Sequence, residues 1–226
     1  MKLSIIIVSY NVKEFIKQCI RSIYNSDFNT KDIEIIVIDN DSHDGSVKCI
    51  KDNFPNVLID RNNTNEGFSK AVNKGLYKAT GEYICLINPD VIVSKNTFTT
   101  LINHLKENKN IGCIGPKILN VNGTIQHSCK RSFPTPLNAI SRLLYLDRFF
   151  PKSKIFGKYN LTYLNENKIQ SVDAISGAFM LFRKSLYKEI GNFDERFFMF
   201  GEDIDYCYRV KEAKFSVVYN PNTEIL

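Results

Sequence analysis

GEYICLINPD, residues 81–90, combines an unbroken apolar run with an abrupt polar ending. Residues 83–87 have the length and composition of a central strand covered on both faces in an α/β sheet. Pro89 lacks a backbone donor and ends the strand. In open α/β sheets ligands sit beyond the carboxyl ends of the strands, which puts Asn88 and Asp90 where a ligand or a metal ion would be met. Asn-Pro-Asp also suits a plain turn, and the stretch alone does not choose between the two.

On its N-terminal side, strand-like and helix-like segments alternate. Residues 3–9 are β-rich, and residues 12–24 carry Phe15, Ile16, Cys19, Ile20 and Ile23 at helical spacing. Residues 33–38 form a second strand that Asp39 closes in IDNDSHDGS, a turn composition entering a helix near residues 42–46. Residues 57–59 are a short strand, and NEGFSKAVNKG (65–75) opens a helix. After the central strand, residues 96–106 have helical spacing and residues 111–114 resume the sheet. This order predicts an α/β fold with a doubly wound, mostly parallel, Rossmann-like central sheet. Further on, Asn122-Gly123 is a tight-hairpin signature, and Phe133-Pro134-Thr135-Pro136 breaks the chain. Residues 172–182 read as one apolar strand containing Gly177 and Ala178, residues 201–214 as a helix opening with acids, and residues 215–219 as a last strand.

Composition removes several classes of function. The six cysteines form no CxxC pair and lie mostly in apolar or periodic stretches, which predicts reduced thiols and a cytoplasmic setting. Met1 and Lys2 lead into a short run without a cleavage site, and no apolar run reaches the roughly 18 to 20 residues of a bilayer span. The net charge of +6 is concentrated between Lys130 and Lys158, where seven basic residues (Lys130, Arg131, Arg142, Arg148, Lys152, Lys154, Lys158) face one acid, Asp147. No basic groove or reading motif accompanies it, so no nucleic acid partner is expected. The first strand runs into Val8-Ser9-Tyr10-Asn11-Val12 without a GxGxxG, which leaves dinucleotide binding without a mechanism.

The chain resembles the family 2 glycosyltransferases of the GT-A fold, in particular the rhamnosyltransferase-like branch that builds bacterial surface polysaccharides. The resemblance is carried by the order and spacing of VSYN (8–11), IDNDSHDGS (38–46), NEGFSKAVNKG (65–75), INPD (87–90), GPKIL (115–119), IQHSCKRSFP (125–134) and SGAFMLFRKSLYKEIGNFDERFFMFGEDIDYCYR (176–209). It implies one domain over residues 1–226, with a nucleotide-sugar-binding half (1–116) and an acceptor-binding half (117–226). The implied reaction is inverting transfer of a sugar, rhamnose being one candidate, from a UDP- or dTDP-linked donor to a glycan or lipid-linked glycan. Two departures stand out. Asn88 replaces the first carboxylate of the usual DxD motif, and the chain ends where such enzymes commonly carry a further His-containing segment, as a C-terminally truncated chain would.

Carried over residue by residue, the resemblance gives Ser9, Tyr10, Asp39 and Asn40 to the nucleotide, with Asp39 at the base. Asn65, Gly67, Phe68 and Asn73 fall in the stretch that approaches the nucleotide and packs the helix behind it. Asp90 binds Mg²⁺ or Mn²⁺ together with the diphosphate, and Asn88 supplies a neutral oxygen or meets the ribose. Asp203 is the general base, Glu202 orients the acceptor, and Gly177 and Ala178 leave room for it. Each assignment has a plainer counterpart: a helix cap for Asp39, core for Phe68, close packing for the small pair, and dipole compensation for the acids. Asp205 is better placed to pair with Arg209. His43, His104 and His127 lack ligand spacing and receive no role. With no QxxRW-like element and no spans, one sugar per acceptor is expected. Ile140, Leu143, Leu144, Phe149, Phe150 and Phe156, interleaved with basic residues in 136–158, suit either a peripheral contact with the inner face of the cell membrane or a flap over the site. The reading from another class is a catalytically silent nucleotide-sugar-binding or scaffold protein.

Overall fold

The computed structural model describes residues 2–150 and 152–226, without the side chains of Ala139, Arg142, Asp147 and Arg148. The expectations placed on Met1 and on the Arg142, Asp147 and Arg148 side chains lie outside the described residues. The N-terminal alternation forms as the hydrophobic pattern requires. It runs β1 (Leu3–Ser9), α1 (Lys13–Tyr24), β2 (Ile33–Asp39), α2 (Ser46–Asn53), β3 (Leu58–Arg61), α3 (Phe68–Lys78), β4 (Tyr83–Ile87), α4 (Thr97–Glu107) and β5 (Ile111–Ile118). The remainder adds β6 (Lys130–Arg131), α5 (Pro136–Leu143), α6 (Leu146–Phe149), β7 (Gln170–Val172), β8 (Ala174–Ile175), β9 (Phe179–Arg183), α7 (Lys184–Ile190), α8 (Glu202–Glu212) and β10 (Ser216–Ile225).

Eight strands form one sheet in the order β3-β2-β1-β4-β9-β5-β10-β7. β1 pairs in parallel with β2 and β4, β2 with β3, and β5 with β10. β4 is buried along its whole length, as its unbroken apolar run requires. Its neighbour on one side is a strand from far along the chain: β9 inserts antiparallel between β4 and β5 and separates two strands that follow one another in sequence. All four leading residues of β9 are buried, which suits an interior position in the sheet.

Two expectations are corrected. Residues 172–182 are three strands, because the chain changes partners twice: β7 lies on β10, β8 pairs with β6 in a two-stranded sheet, and β9 joins β4 and β5. Polar groups mark the breaks. Asp173 accepts from the Phe133 N–H at 3.2 Å and pairs with Lys211, while Ser176-Gly177-Ala178 forms a turn. The last strand continues to Ile225, because a register shift between Asn220 and Glu224 absorbs the Asn-Pro-Asn that reads as a turn. At Asn122-Gly123 the hairpin forms, with Gly123 at φ 79° and Leu119 bridged to Ile125.

Helix α3 approaches β1 through Gly75, where a β-carbon would come within 2.4 Å of Ile6 Cγ2. Ile6 is buried and β-branched, so it cannot swing aside. Alanine favours a helix interior over glycine by about 1 kcal/mol, whereas overpacking costs about 1 to 3 kcal/mol. Gly75→Ala is therefore expected to destabilise the chain despite the better helix former, read as a lower urea midpoint at unchanged slope.

Candidate active site

The carboxyl ends of β1, β2 and β4 open into a cleft of about 340 Å³. Tyr10, Asn40, Asn65, Gly67, Phe68, Asn88 and Asp90 line it together with Val8, Val12, Phe15, Pro89, Phe198 and Met199. Seven residues picked out in the sequence thus meet around one space. They do so because strand ends of a parallel sheet point the same way.

A polar network shapes the floor. Asn40 Nδ2 donates to the Gly67 carbonyl at 3.1 Å, its Oδ1 accepts from Asn62 Nδ2 at 2.7 Å, and its backbone N–H donates to the Ser9 carbonyl at 2.8 Å. Asp39 is fully buried beside it. Its Oδ1 accepts from the Ser42 N–H at 2.9 Å and lies 3.7 Å from Arg61 Nε, but its Oδ2 has no partner among the described residues. Ser9 Oγ is likewise buried without a partner. Unsatisfied buried polar atoms are uncommon in folded proteins and ask for a cause. Asp39 does not cap α2, whose N-cap is Gly45; it braces the 39–42 turn with one oxygen and leaves the other free.

The loop before α3 is held in an unusual way. Gly67 has φ 84°, its N–H donates to Asn65 Oδ1 at 3.0 Å, and α3 has no side-chain cap. The Phe68 N–H is instead satisfied by the Phe198 carbonyl at 2.7 Å, from the segment just ahead of α8. A β-carbon on Gly67 would meet that carbonyl and the Phe198 ring, each at 2.7 Å. Glycine is thus required twice over, by the positive φ and by the approach. Asn73 is not brought to the cleft. Its amide is fully engaged with the 193–195 segment, donating to the Phe193 carbonyl and Glu195 and accepting from the Phe193 N–H, so it clamps α3 in place.

The acidic pair opens α8 behind Gly201 (φ 95°), and Phe200 before it also has positive φ. Glu202 and Asp203 are both buried. Asp203 Oδ2 pairs with Arg131 and accepts from the Gly177 N–H at 2.9 Å, and Oδ1 accepts from the Ile204 N–H at 2.8 Å. The turn that donates to Asp203 also receives the cleft, since the Ala178 carbonyl accepts from the Asn88 N–H at 2.9 Å. Two hydrogen bonds therefore connect the Asn-Pro-Asp turn to the acidic pair through Gly177 and Ala178. Gly177 is close to both acids: a β-carbon there would lie 3.3 Å from Asp203 Cβ and 3.6 Å from Glu202 Oε1. Asp205 pairs with Arg209 at 2.8 Å, as its spacing predicts.

Charge in this region is set by burial and by Arg131. Burial pushes the Glu202 carboxyl up; its own backbone N–H and Arg131 oppose the shift, and the Asp203 charge adds to it. Glu202 Oε2 has no partner. Burial works against the Arg131 charge, but the Asp203 carboxylate and then Tyr159 oppose it and leave the guanidinium pKa raised. Arg131, Phe198 and Met199 were not singled out in the sequence. Their only signal there is membership of the SCKRSFP and FFMFGED pieces.

Protein ligands for a cation are few. Asp90 is exposed at the cleft, held by no hydrogen bond or ion pair among the described residues, with the Asn88 amide on the same wall. Cys19 is held as a thiol by burial and then by the nearby Asp90 charge, so it is no competing ligand. No cluster of three or more His, Cys, Asp or Glu side chains suits a metal among the described residues. One carboxylate and one amide oxygen fit a hard cation that arrives with a diphosphate supplying its remaining oxygens.

The pattern of glycosyl transferase family 2 matches residues 4–191. The chain belongs to glycosyl transferase family 2. It is 26% identical over 205 residues to the N-acetylglucosaminyl-diphospho-decaprenol L-rhamnosyltransferase of Mycobacterium tuberculosis, across 86% of this chain and 66% of that protein. It is 29% identical over 220 residues to the low-salt glycan biosynthesis hexosyltransferase Agl10 of Haloferax volcanii, across 95% of this chain and 63% of that one. This family 2 chain thus spans about two thirds or less of the length of these relatives. The fold is GT-A: a crystal structure of GalNAc-T7 with UDP, GalNAc and Mn²⁺ superposes with a TM-score of 0.73 at 19% identity, over 99% of this chain and 42% of that one.

The raised Glu202 carboxyl makes a prediction with a definite sign. A folded-state pKa above the unfolded one means that the native state holds more protons in the window between them, so stability falls as pH rises through it. Glu202→Gln removes that penalty. In thermal melts the variant is expected to exceed wild type at neutral pH, with the difference shrinking below about pH 4, where the carboxyl is protonated in both states.

Proposed function

We propose that this family 2 chain is an inverting glycosyltransferase that moves one sugar from a UDP- or dTDP-linked donor to a glycan or lipid-linked glycan acceptor. Its setting in this reading is bacterial surface polysaccharide synthesis at the inner face of the cell membrane, and the rhamnosyltransferase activity of one relative supports rhamnose as a candidate sugar. The observation that carries the reading is the pair of hydrogen bonds through Ala178 and Gly177 that sets a buried acidic pair beside the donor cleft.

The donor's base lies between the ends of β1 and β2. The imide N–H of a uracil or thymine ring donates to Asp39 Oδ2, the oxygen that lacks a partner, and Tyr10 covers the ring. Asn40, Asn65 and Phe68 line the path of the ribose and diphosphate. Asp90, with the Asn88 oxygen, would hold a Mg²⁺ or Mn²⁺ ion, whose chemistry is to offset charge on the diphosphate. Gly177 and Ala178 keep the acceptor side narrow but open, and Glu202 orients the acceptor. The acceptor hydroxyl oxygen bonds to the anomeric carbon as the bond from that carbon to the diphosphate breaks. Asp203 takes the hydroxyl proton, and the electron pair of the broken bond leaves with the nucleoside diphosphate. One displacement inverts the anomeric centre. Arg131 and the Gly177 N–H hold Asp203 aimed until the acceptor arrives.

A silent nucleotide-sugar binder would share the cleft and lack turnover, and one substitution separates the two. Asp203→Asn keeps the shape and an acceptor oxygen for Arg131 but removes the base, which is typically worth about 10² to 10⁴ in rate. Turnover is expected to collapse by that factor while donor affinity in titration calorimetry stays near wild type. A folded variant with wild-type turnover would exclude Asp203 as the base. Asp90→Ala is expected to remove most of the Mn²⁺-dependent part of donor affinity with little loss of stability, because an exposed turn residue makes few packing contacts.

A further inference from the structure

Helix α5 is inverted relative to an ordinary surface helix. Its polar side chains Asn138 and Ser141, one turn apart, are buried, and Asn138 Nδ2 donates to Ser132 Oγ at 3.2 Å and to the Phe133 carbonyl at 3.3 Å. Its large apolar side chains Leu137, Ile140 and Leu143 face solvent, and Leu144, Phe149 and Phe150 extend the exposed set onto α6, which lies against it. Leu143 is 77% exposed and Phe149 75%. Surface helices bury the apolar stripe and expose the polar one, and a cluster of large exposed apolar side chains marks a surface meant to be covered.

Charge and position indicate what covers it. Lys152, Lys154 and Lys158 are exposed beside the apolar set, in a segment, 136–158, whose sequence has five basic residues against one acid. Apolar side chains bordered by lysines complement an anionic bilayer: the former enter the headgroup boundary, and the latter meet lipid phosphates. A second copy of a +6 chain would set like charge against like. The excursion is also pinned at the site. The Ser132 N–H donates to the Tyr159 carbonyl at 2.8 Å, closing its base next to Arg131, the residue that holds Asp203.

We propose that residues 136–158 are a docking surface for an anionic lipid bilayer, seated so that the acidic pair faces sugars displayed on lipid carriers at that bilayer. The inference rests on the lipid-linked acceptor proposed above for its purpose. Its observations are independent of the reaction.

The test is co-sedimentation of the purified chain with vesicles of phosphatidylcholine, with and without phosphatidylglycerol, alongside light scattering and donor hydrolysis. Binding is expected on the anionic vesicles and should fall as salt is raised. Lys152→Glu, Lys154→Glu and Lys158→Glu together should weaken it on the order of a hundredfold, at about fivefold per lysine. Leu143→Ser with Phe149→Ser should weaken it about tenfold or more. Circular dichroism and donor hydrolysis should be unchanged in both variants. Failure of the wild-type chain to bind any vesicle, or equal binding by the Leu143/Phe149 variant, would overturn the proposal. So would a dimer in light scattering that this variant disperses, which would give the face to a second copy. Vesicle binding by a chain without hydrolysis would count against the proposed reaction and for the surface.

Discussion

The backbone hydrogen bond from Asn88 to Ala178 is the constraint on which the site depends. It exists because β9, an antiparallel strand from the C-terminal half, occupies the place next to β4. An all-parallel sheet would have put β5 there and left the end of the central strand facing a crossover loop. With β9 in that place, the turn that precedes it meets the turn that follows β4, and the next donor along, Gly177, reaches α8. The cleft and the acidic pair are thereby fixed to one rigid sheet. Sites that position reacting groups benefit from such rigidity, since small misplacements are costly in rate.

The other half of the site is held by a division of labour within single residues. Asp39 uses one oxygen to brace its turn and keeps the other unsatisfied, and Glu202 is buried with an oxygen unpaired. Both arrangements lower stability and are tolerated where function needs them. Arg131 pairs with Asp203 and offsets part of the charge that Asp203 sets against Glu202. The Phe198 carbonyl does the work of a missing helix cap and thereby ties the segment ahead of α8 to the glycine loop at the cleft.

Local pattern and tertiary placement divide what was legible in the sequence. β1 through β5 and their helices were readable because each is dictated by its own hydrophobic period, and the residues at the strand ends followed, since parallel strands deliver their ends to one side. The insertion of β9 was not readable, because pairing between segments some ninety residues apart leaves no local signature. For the same reason residues 172–182 read as a single strand. The sequence does not show which way Asn73 turns: its neighbours approach the cleft while its own side chain meets the 193–195 segment. Arg131 escaped notice as one of many basic residues in its segment; only the fold shows that it meets Asp203.

The sulfur atoms have a consequence of their own. All six cysteines are unpaired and buried; burial raises the thiols of Cys85 and Cys129, and a Cys207 hydrogen bond together with burial raises that of Cys113. Reactive thiolate must come from opening of the core rather than from the native surface. Because these sulfurs are distributed over α1, α2, β4, β5, α8 and the segment before β6, their alkylation is a built-in clock for the molecule, reporting how often each layer of the sheet and its helices comes apart.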